Sequence, residues 1–207
     1  AYQAGGNVYF DVSKLDDYSH KEELARQGIY LALSSSTGYF ASPEIEKVFI
    51  DIAQKNDIVL RNHFKRNSIL HVMTECYATG GHTRVVERWI NFSPLTEEHS
   101  LIFTENEEQD IPPDLSRAIE DHNGTITMIP DALSDIEKGL MLRKIASNYE
   151  RVILHVHQHD VIPLIAFGHK DFKRPVFFFN HSDHKFWVGV SIADVVVNFR
   201  SWGDLMC

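Results

Sequence analysis

Cysteine is scarce: Cys76 and Cys207 are the only two in 207 residues, and the second is the last residue of the chain. Two thiols so placed do not make the disulfide framework of a small secreted scaffold, and they fit the reduced thiols of a cytoplasmic protein. Long apolar runs are missing as well. No stretch approaches the ~20 residues that a membrane helix needs, and the N-terminus lacks the basic-then-apolar order of a signal peptide. Positive charge is in deficit, with 20 Lys and Arg against 29 Asp and Glu and a net charge of -9 with His neutral. Nothing global therefore attracts nucleic acid or an anionic membrane surface, and any phosphate site must be local. The paired-glycine stretch "ATGGHTR" lacks the third glycine of the dinucleotide fingerprint and the Lys-Ser/Thr of a phosphate-binding P-loop.

What is present describes a folded α/β protein. Apolar residues at 43% and charged residues at 24% exclude wholesale disorder, and the length suits one well-filled core with at most an extension. Residues 1–67 read as an N-terminal helical extension. In it "SHKEELARQGIYLAL" has a polar start and an apolar finish, and Ser42-Pro43 is an N-cap and first-turn pair. Ile45, Val48, Phe49 and Ile52 then share one helix face. From Ser68 onward strands alternate with helices. "SILHVMT", "HSLIFT", "TITMIP", "RVILHVH", "RPVFFFN" and "ADVVVNFR" are strand-like. Between them "TRVVERWINF" carries Val85, Val86, Trp89 and Ile90 at helical spacing, and "PPDLSRAIEDHNG" has Asp114 as expected N-cap and Gly124 as stop. Ser134 and Glu137 have capping-box spacing, and "VIPLIAFG" is a short helix. Such alternation predicts a doubly wound, mostly parallel Rossmann-like sheet over residues 68–207. The start at Ala1 rather than Met, and the stop just after a strand-like segment, lead us to expect a piece of a longer chain.

Ligands of doubly wound sheets bind outside the carboxyl ends of the strands, and polar and aromatic residues gather there. After the first strand, Gly80 and Gly81 let the backbone approach a ligand while the helix amides favour anionic oxygens, with His82 and Arg84 as further donors. A tight turn without a ligand is the simpler reading of a bare glycine pair. After the fourth strand comes "HVHQHD". His155, inside the strand, suits a hydrogen-bonded core residue, whereas His157 nearer the edge suits a hydroxyl contact or acid–base work, with Asp160 just beyond. After the fifth, "NHSDHKFW" offers Asn180, His181, Asp183 and His184 beside Phe186 and Trp187, which suits a polyhydroxylated ligand or a loop stapled to the core by its aromatics. The histidines and acids of the last two clusters are also capable metal ligands. H-x-H-x-H-D, however, puts its acid out of place for a zinc hydrolase, and no metal site is assigned.

Taken together, "ILHVMTECYATGGHTRVVERWI", "VILHVHQHDVIPLIAF" and "PVFFFNHSDHKFWVGVSIADVVVNFR" resemble the N-terminal domain of a bacterial GT-B-type, family-4-like glycosyltransferase over about residues 68–200. The resemblance implies two Rossmann-like domains facing across a cleft. The acceptor lies mostly on the first and the nucleotide sugar mostly on the second, with no cofactor beyond that donor substrate. It implies that Gly80, Gly81 and Arg84 are donor-binding and that His157 is the catalytic position facing the reacting sugar. His82, Asp160, Asn180, His181, Asp183 and His184 would be acceptor-binding. The second domain, with its E-x7-E pattern, is missing from these residues, so the fragment alone is expected to be inactive. The implied partners are a nucleotide sugar and a glycan, lipid-linked or protein acceptor, not nucleic acid. A cytoplasmic location is expected, and peripheral contact with an inner membrane stays open. A stand-alone α/β ligand-binding module and a metal-dependent hydrolase are the competing readings.

Overall fold

A computed structural model of the chain describes residues 2–4, 7–9, 18–35, 38–60, 63–105 and 111–201. An antiparallel hairpin, β1 (Tyr2–Ala4) with β2 (Asn7–Tyr9), precedes two helices, α1 (Tyr18–Ser34) and α2 (Pro43–Lys55). The expected extension thus holds strands as well as helices. It also contains the start of β3 (Lys65–Met73), which begins three residues before Ser68, with exposed residues and an irregular register. Next follow α3 (Gly81–Phe92), β4 (Glu98–Phe103), α4 (Pro113–Asp121), β5 (Ile126–Met128) and α5 (Asp135–Ala146). β6 (Tyr149–His155), α6 (Ile162–Phe167), β7 (Val176–Asn180) and β8 (Val195–Asn198) complete the order.

β3 to β8 form one six-stranded, all-parallel sheet in the order β5-β4-β3-β6-β7-β8. This is the expected doubly wound, Rossmann-like architecture, and its cause is visible along each strand. Successive side chains alternate between faces, and here both faces are apolar. Leu70, Val72, Ile102, Val152, Leu154 and Phe178 pack with the helices α1, α2, α5 and α6. On the other face Met73, Leu101 and Phe103 pack with Val86 and Ile90 of α3 and Leu115 and Ile119 of α4. Because α1 and α2 contribute Ala25, Ile29, Val48, Phe49 and Ile52 to the larger core, they are seated on the sheet. Two buried side chains fasten α2 there. Glu46, fully buried, accepts hydrogen bonds from the amides of Gly189, Val190 and Ser191 at 2.7, 3.2 and 2.8 Å. Arg143 donates to the carbonyls of Ala53 and Asn56 on one side and Ile165 and Ala166 on the other.

The helix ends follow local chemistry. Ser42 caps α2 by accepting from the Ile45 amide, and Ser134 and Glu137 form a reciprocal capping box at α5, both as expected. α4 departs from expectation. Pro112 occupies the N-cap and Pro113 the first turn, so Asp114 lies inside the helix, 3.8 Å from Arg117 Nη1. A proline needs no cap on an N–H it does not have. The left-handed residue after α4 is Asn123, at φ 56°, and not Gly124. Gly124 is required for close approach, since a Cβ there would fall 1.7 Å from the His99 carbonyl oxygen. Among the described residues, no helix is long and apolar enough to cross a membrane.

Candidate functional site

From β3 the chain winds outward through β4 to β5, and from β6 it winds the other way through β7 to β8. The crevice at such a switch lies beyond the carboxyl ends of β3 and β6, between the segment 74–81 and the segment 156–160. The first segment is held by a turn, with the Gly80 amide donating to the Tyr77 carbonyl at 3.2 Å and the Tyr77 amide to Thr83 Oγ1 at 2.9 Å. Neither Gly80 nor Gly81 has a positive φ. A Cβ on Gly80 would meet Tyr77 Cβ at 3.1 Å, but one on Gly81 would meet nothing within 4 Å. Gly80, as N-cap of α3, brings no side chain to the first-turn amides. The fold itself therefore makes no demand for glycine at position 81.

Beneath the crevice Asp160 joins the two inner loops. Its Oδ2 accepts from Thr74 Oγ1 at 2.8 Å and Thr104 Oγ1 at 2.5 Å, and its Oδ1 accepts from the Ile162 amide at 3.0 Å. Thr74 Oγ1 in turn accepts from the His157 amide at 2.8 Å. These threonines follow β3 and β4, so one carboxylate ties the ends of three neighbouring strands and fixes where His157 emerges.

Imidazoles crowd the crevice above. The His157 ring stacks with Tyr77 at 6.3 Å, and its Nδ1 lies 3.5 Å from Glu75 Oε1. Tyr77 also hydrogen-bonds Glu75 through its hydroxyl. Burial pulls the His157 pKa below its ordinary value, and the Glu75 carboxylate opposes that shift. The His82 ring stacks on His181 at 4.1 Å and lies 6.4 Å from His157. Burial first, then the neighbouring His181 and His157, lowers the His82 pKa to about 3. His181 is lowered by burial and then by His157, and the Gln158 side-chain nitrogen is 3.2 Å from its Nε2. At neutral pH these rings are uncharged donors and acceptors facing one space. On the α1 side a small cavity adjoins, lined by Arg26, Tyr30, Glu105, Asp135 and His159 among others. Burial, with Asp160 nearby, raises the Glu105 carboxyl there.

The structure brings together Gly80, Gly81, His82, His157 and His181, and it gives other candidates different surroundings. Arg84 is exposed on α3. Asn180 is buried and donates to Asn198 Oδ1 at 3.0 Å. Asp183 is buried and pairs with Arg200, whose hydrogen bonds hold its carboxyl below the ordinary range. His184 is exposed, 3.8 Å from that carboxylate. Phe186 and Trp187 are buried, and Trp187 stacks on Phe178 at 4.1 Å, so this aromatic pair staples the loop instead of offering a platform to a ligand. Glu75, Tyr77 and Gln158 line the crevice without having been singled out from sequence. All three stand within the segments quoted for their glycines and histidines, and that adjacency was their signal. Among the described residues the group whose ligand atoms converge as for a metal is Asp57, His169 and Asp171, after α2 and α6. The crevice imidazoles form no such group. No family description, curated protein or solved structure matches this chain.

Proposed function

We propose that this chain supplies the acceptor-side half of a retaining glycosyltransferase that uses a nucleotide-sugar donor, a second nucleotide-binding domain closing over the crevice. The observation that supports this reading is the pairing, across the switch point, of a helix start left open at Gly81 with His157 two residues beyond the end of β6. The helix start at Gly80 and Gly81, with first-turn amides from Gly81 onward and Arg84, stabilises charge that develops on the leaving diphosphate. His157, held by Thr74 and flanked by Tyr77 and Glu75, orients the transferred sugar. His82 and His181 face the acceptor, while Asp160, Asn180 and Asp183 fix the loops that carry these groups. Retaining transfer of this kind assigns no nucleophile to the protein, and none is placed here.

The test is a screen of UDP-, GDP-, ADP- and dTDP-sugars against the chain in its full-length context, with release of nucleoside diphosphate as the readout. His157→Ala should lower turnover about a hundredfold, the order expected when a positioning group is lost, with an unchanged melting temperature. Release with none of the donors, or full turnover in His157→Ala, overturns the proposal. Tight binding without turnover favours a ligand-binding module instead.

A further inference from the structure

Below the crevice, on the sheet face covered by α3 and α4, three buried histidines join across three adjacent strands. His71 on β3 stands between His99 on β4 and His155 on β6, and each of the three is fully buried. His71 Nδ1 is 3.0 Å from His155 Nε2, and His71 Nε2 is 2.8 Å from His99 Nδ1. The edge of Trp89 packs against both His71 and His155. The two outer nitrogens of the chain, His155 Nδ1 and His99 Nε2, have no hydrogen-bond partner among the described residues. Their surroundings differ. His99 Nε2 lies 3.6 Å from Glu97 Oε2, and the other oxygen of Glu97 is 3.6 Å from Arg151 Nη2. His155 is bordered by Phe179 and by His82, whose ring is 6.2 Å away and whose Nε2 is itself buried and unpaired.

A chain of neutral imidazoles has only two hydrogen-bonding states, because each link needs one N–H and one lone pair. Either all three rings carry the proton on Nδ1, or all three carry it on Nε2. The first state turns a lone pair of His99 towards the Glu97 carboxylate. The second turns an N–H towards it, and charge attraction selects the second. His155 Nδ1 is then left as a bare acceptor under the crevice. We propose that Glu97, His99 and His71 are positioning residues of a relay that presents His155 Nδ1 as a proton acceptor to the crevice and gives Glu97 the proton.

The transfer balances. A proton arriving on His155 Nδ1 displaces the one on its Nε2 to His71 Nδ1. His71 passes its Nε2 proton to His99 Nδ1, and His99 passes its Nε2 proton to the Glu97 carboxylate. Every ring ends neutral in the other tautomer, and Glu97, partly exposed, returns the proton to water. No imidazolium needs to persist in the core, where burial disfavours it. The relay is independent of sugar transfer and stands on any chemistry that delivers a proton beside His82.

Long-range proton–nitrogen correlation spectra of the uniformly 15N-labelled chain at neutral pH test the arrangement. The expected result is the Nε2–H form for His71, His99 and His155 together, with an unprotonated His155 Nδ1. The Nδ1–H form in any of them overturns it. Glu97→Gln removes the selecting charge while keeping the shape, so the single tautomer should be lost along the whole chain, His155 included. A His155 spectrum unmoved by Glu97→Gln, with backbone amide signals showing an intact fold, refutes the coupling. Exchange of the three ring protons into D2O tests movement. Hopping replaces them at one shared rate that slows in Glu97→Gln, and three unrelated rates, or one indifferent to Glu97, refute the relay.

Discussion

Replacing Gly81 with alanine separates what the fold needs from what a ligand needs. The position opens α3, has no left-handed φ, and leaves a Cβ free of any atom within 4 Å. Under those conditions Gly→Ala removes conformational freedom from the unfolded chain and adds helix propensity, a gain of about 0.4–1 kcal/mol. For a domain of this size that is roughly 1–4 °C in melting temperature. If a diphosphate approaches the backbone at Gly81, the new methyl occupies space the ligand requires. Overpacking costs about 1–3 kcal/mol, which is about 5- to 150-fold in affinity or kcat/KM for the nucleotide sugar. The assay is a pair of measurements on one variant, a thermal melt and a titration or turnover assay with the donor found by screening. A fall of several degrees would show that the space is not open. A rise with unchanged donor affinity would show that no ligand reaches Gly81, and the anion-binding role of the glycine pair would be wrong. Gly80→Ala is the control, because its Cβ would meet Tyr77 Cβ at 3.1 Å and should destabilise.

Two further perturbations concern stability. Glu46→Ala strips the acceptor from three loop amides, that of buried Gly189 and those of exposed Val190 and Ser191; at about 1–3 kcal/mol for a buried group left unsatisfied, with water recovering the exposed ones, the loss should be about 2 kcal/mol in urea unfolding. A loss below about 1 kcal/mol would mean the loop finds other partners. The buried histidines make stability depend on pH: His82 and His99 are lowered to about 3 and about 4, mainly by burial, and His71 and His155 fall well below the ordinary value. The unfolded chain therefore binds more protons below pH ~6.5, so stability is fully present above that pH and is lost progressively as the pH falls towards 4. Urea midpoints that stay flat between pH 7 and 4.5 would contradict neutral, buried rings.

How far the sequence was legible depends on what each residue had to satisfy. The alternation of strands and helices could be read because apolar faces repeat locally, and the caps at Ser42 and Ser134 because a helix start leaves amides that nearby side chains complete. The strand order was not in the sequence, and much of the site depends on it. His71 and His99 sit inside apolar strands two residues from Met73 and Leu101, so each alone reads as an oddity of the core. Only the parallel register of β3 with β4 and β6 sets them in line with His155. The rim shows the opposite difficulty. Asp160, Asn180 and Asp183 all follow or end strands, where a polar residue is the natural sign of a ligand, yet each is buried and engaged with its own scaffold. A loop that leaves a sheet has its own polar groups to satisfy, and Thr74 and Thr104 each place a hydroxyl where an acceptor is needed. The residues that can meet a ligand are those the scaffold leaves unsatisfied, and His82 Nε2 and His155 Nδ1 are marked out in that way by geometry alone. The same criterion applies to Gly81, whose missing side chain the fold does not need.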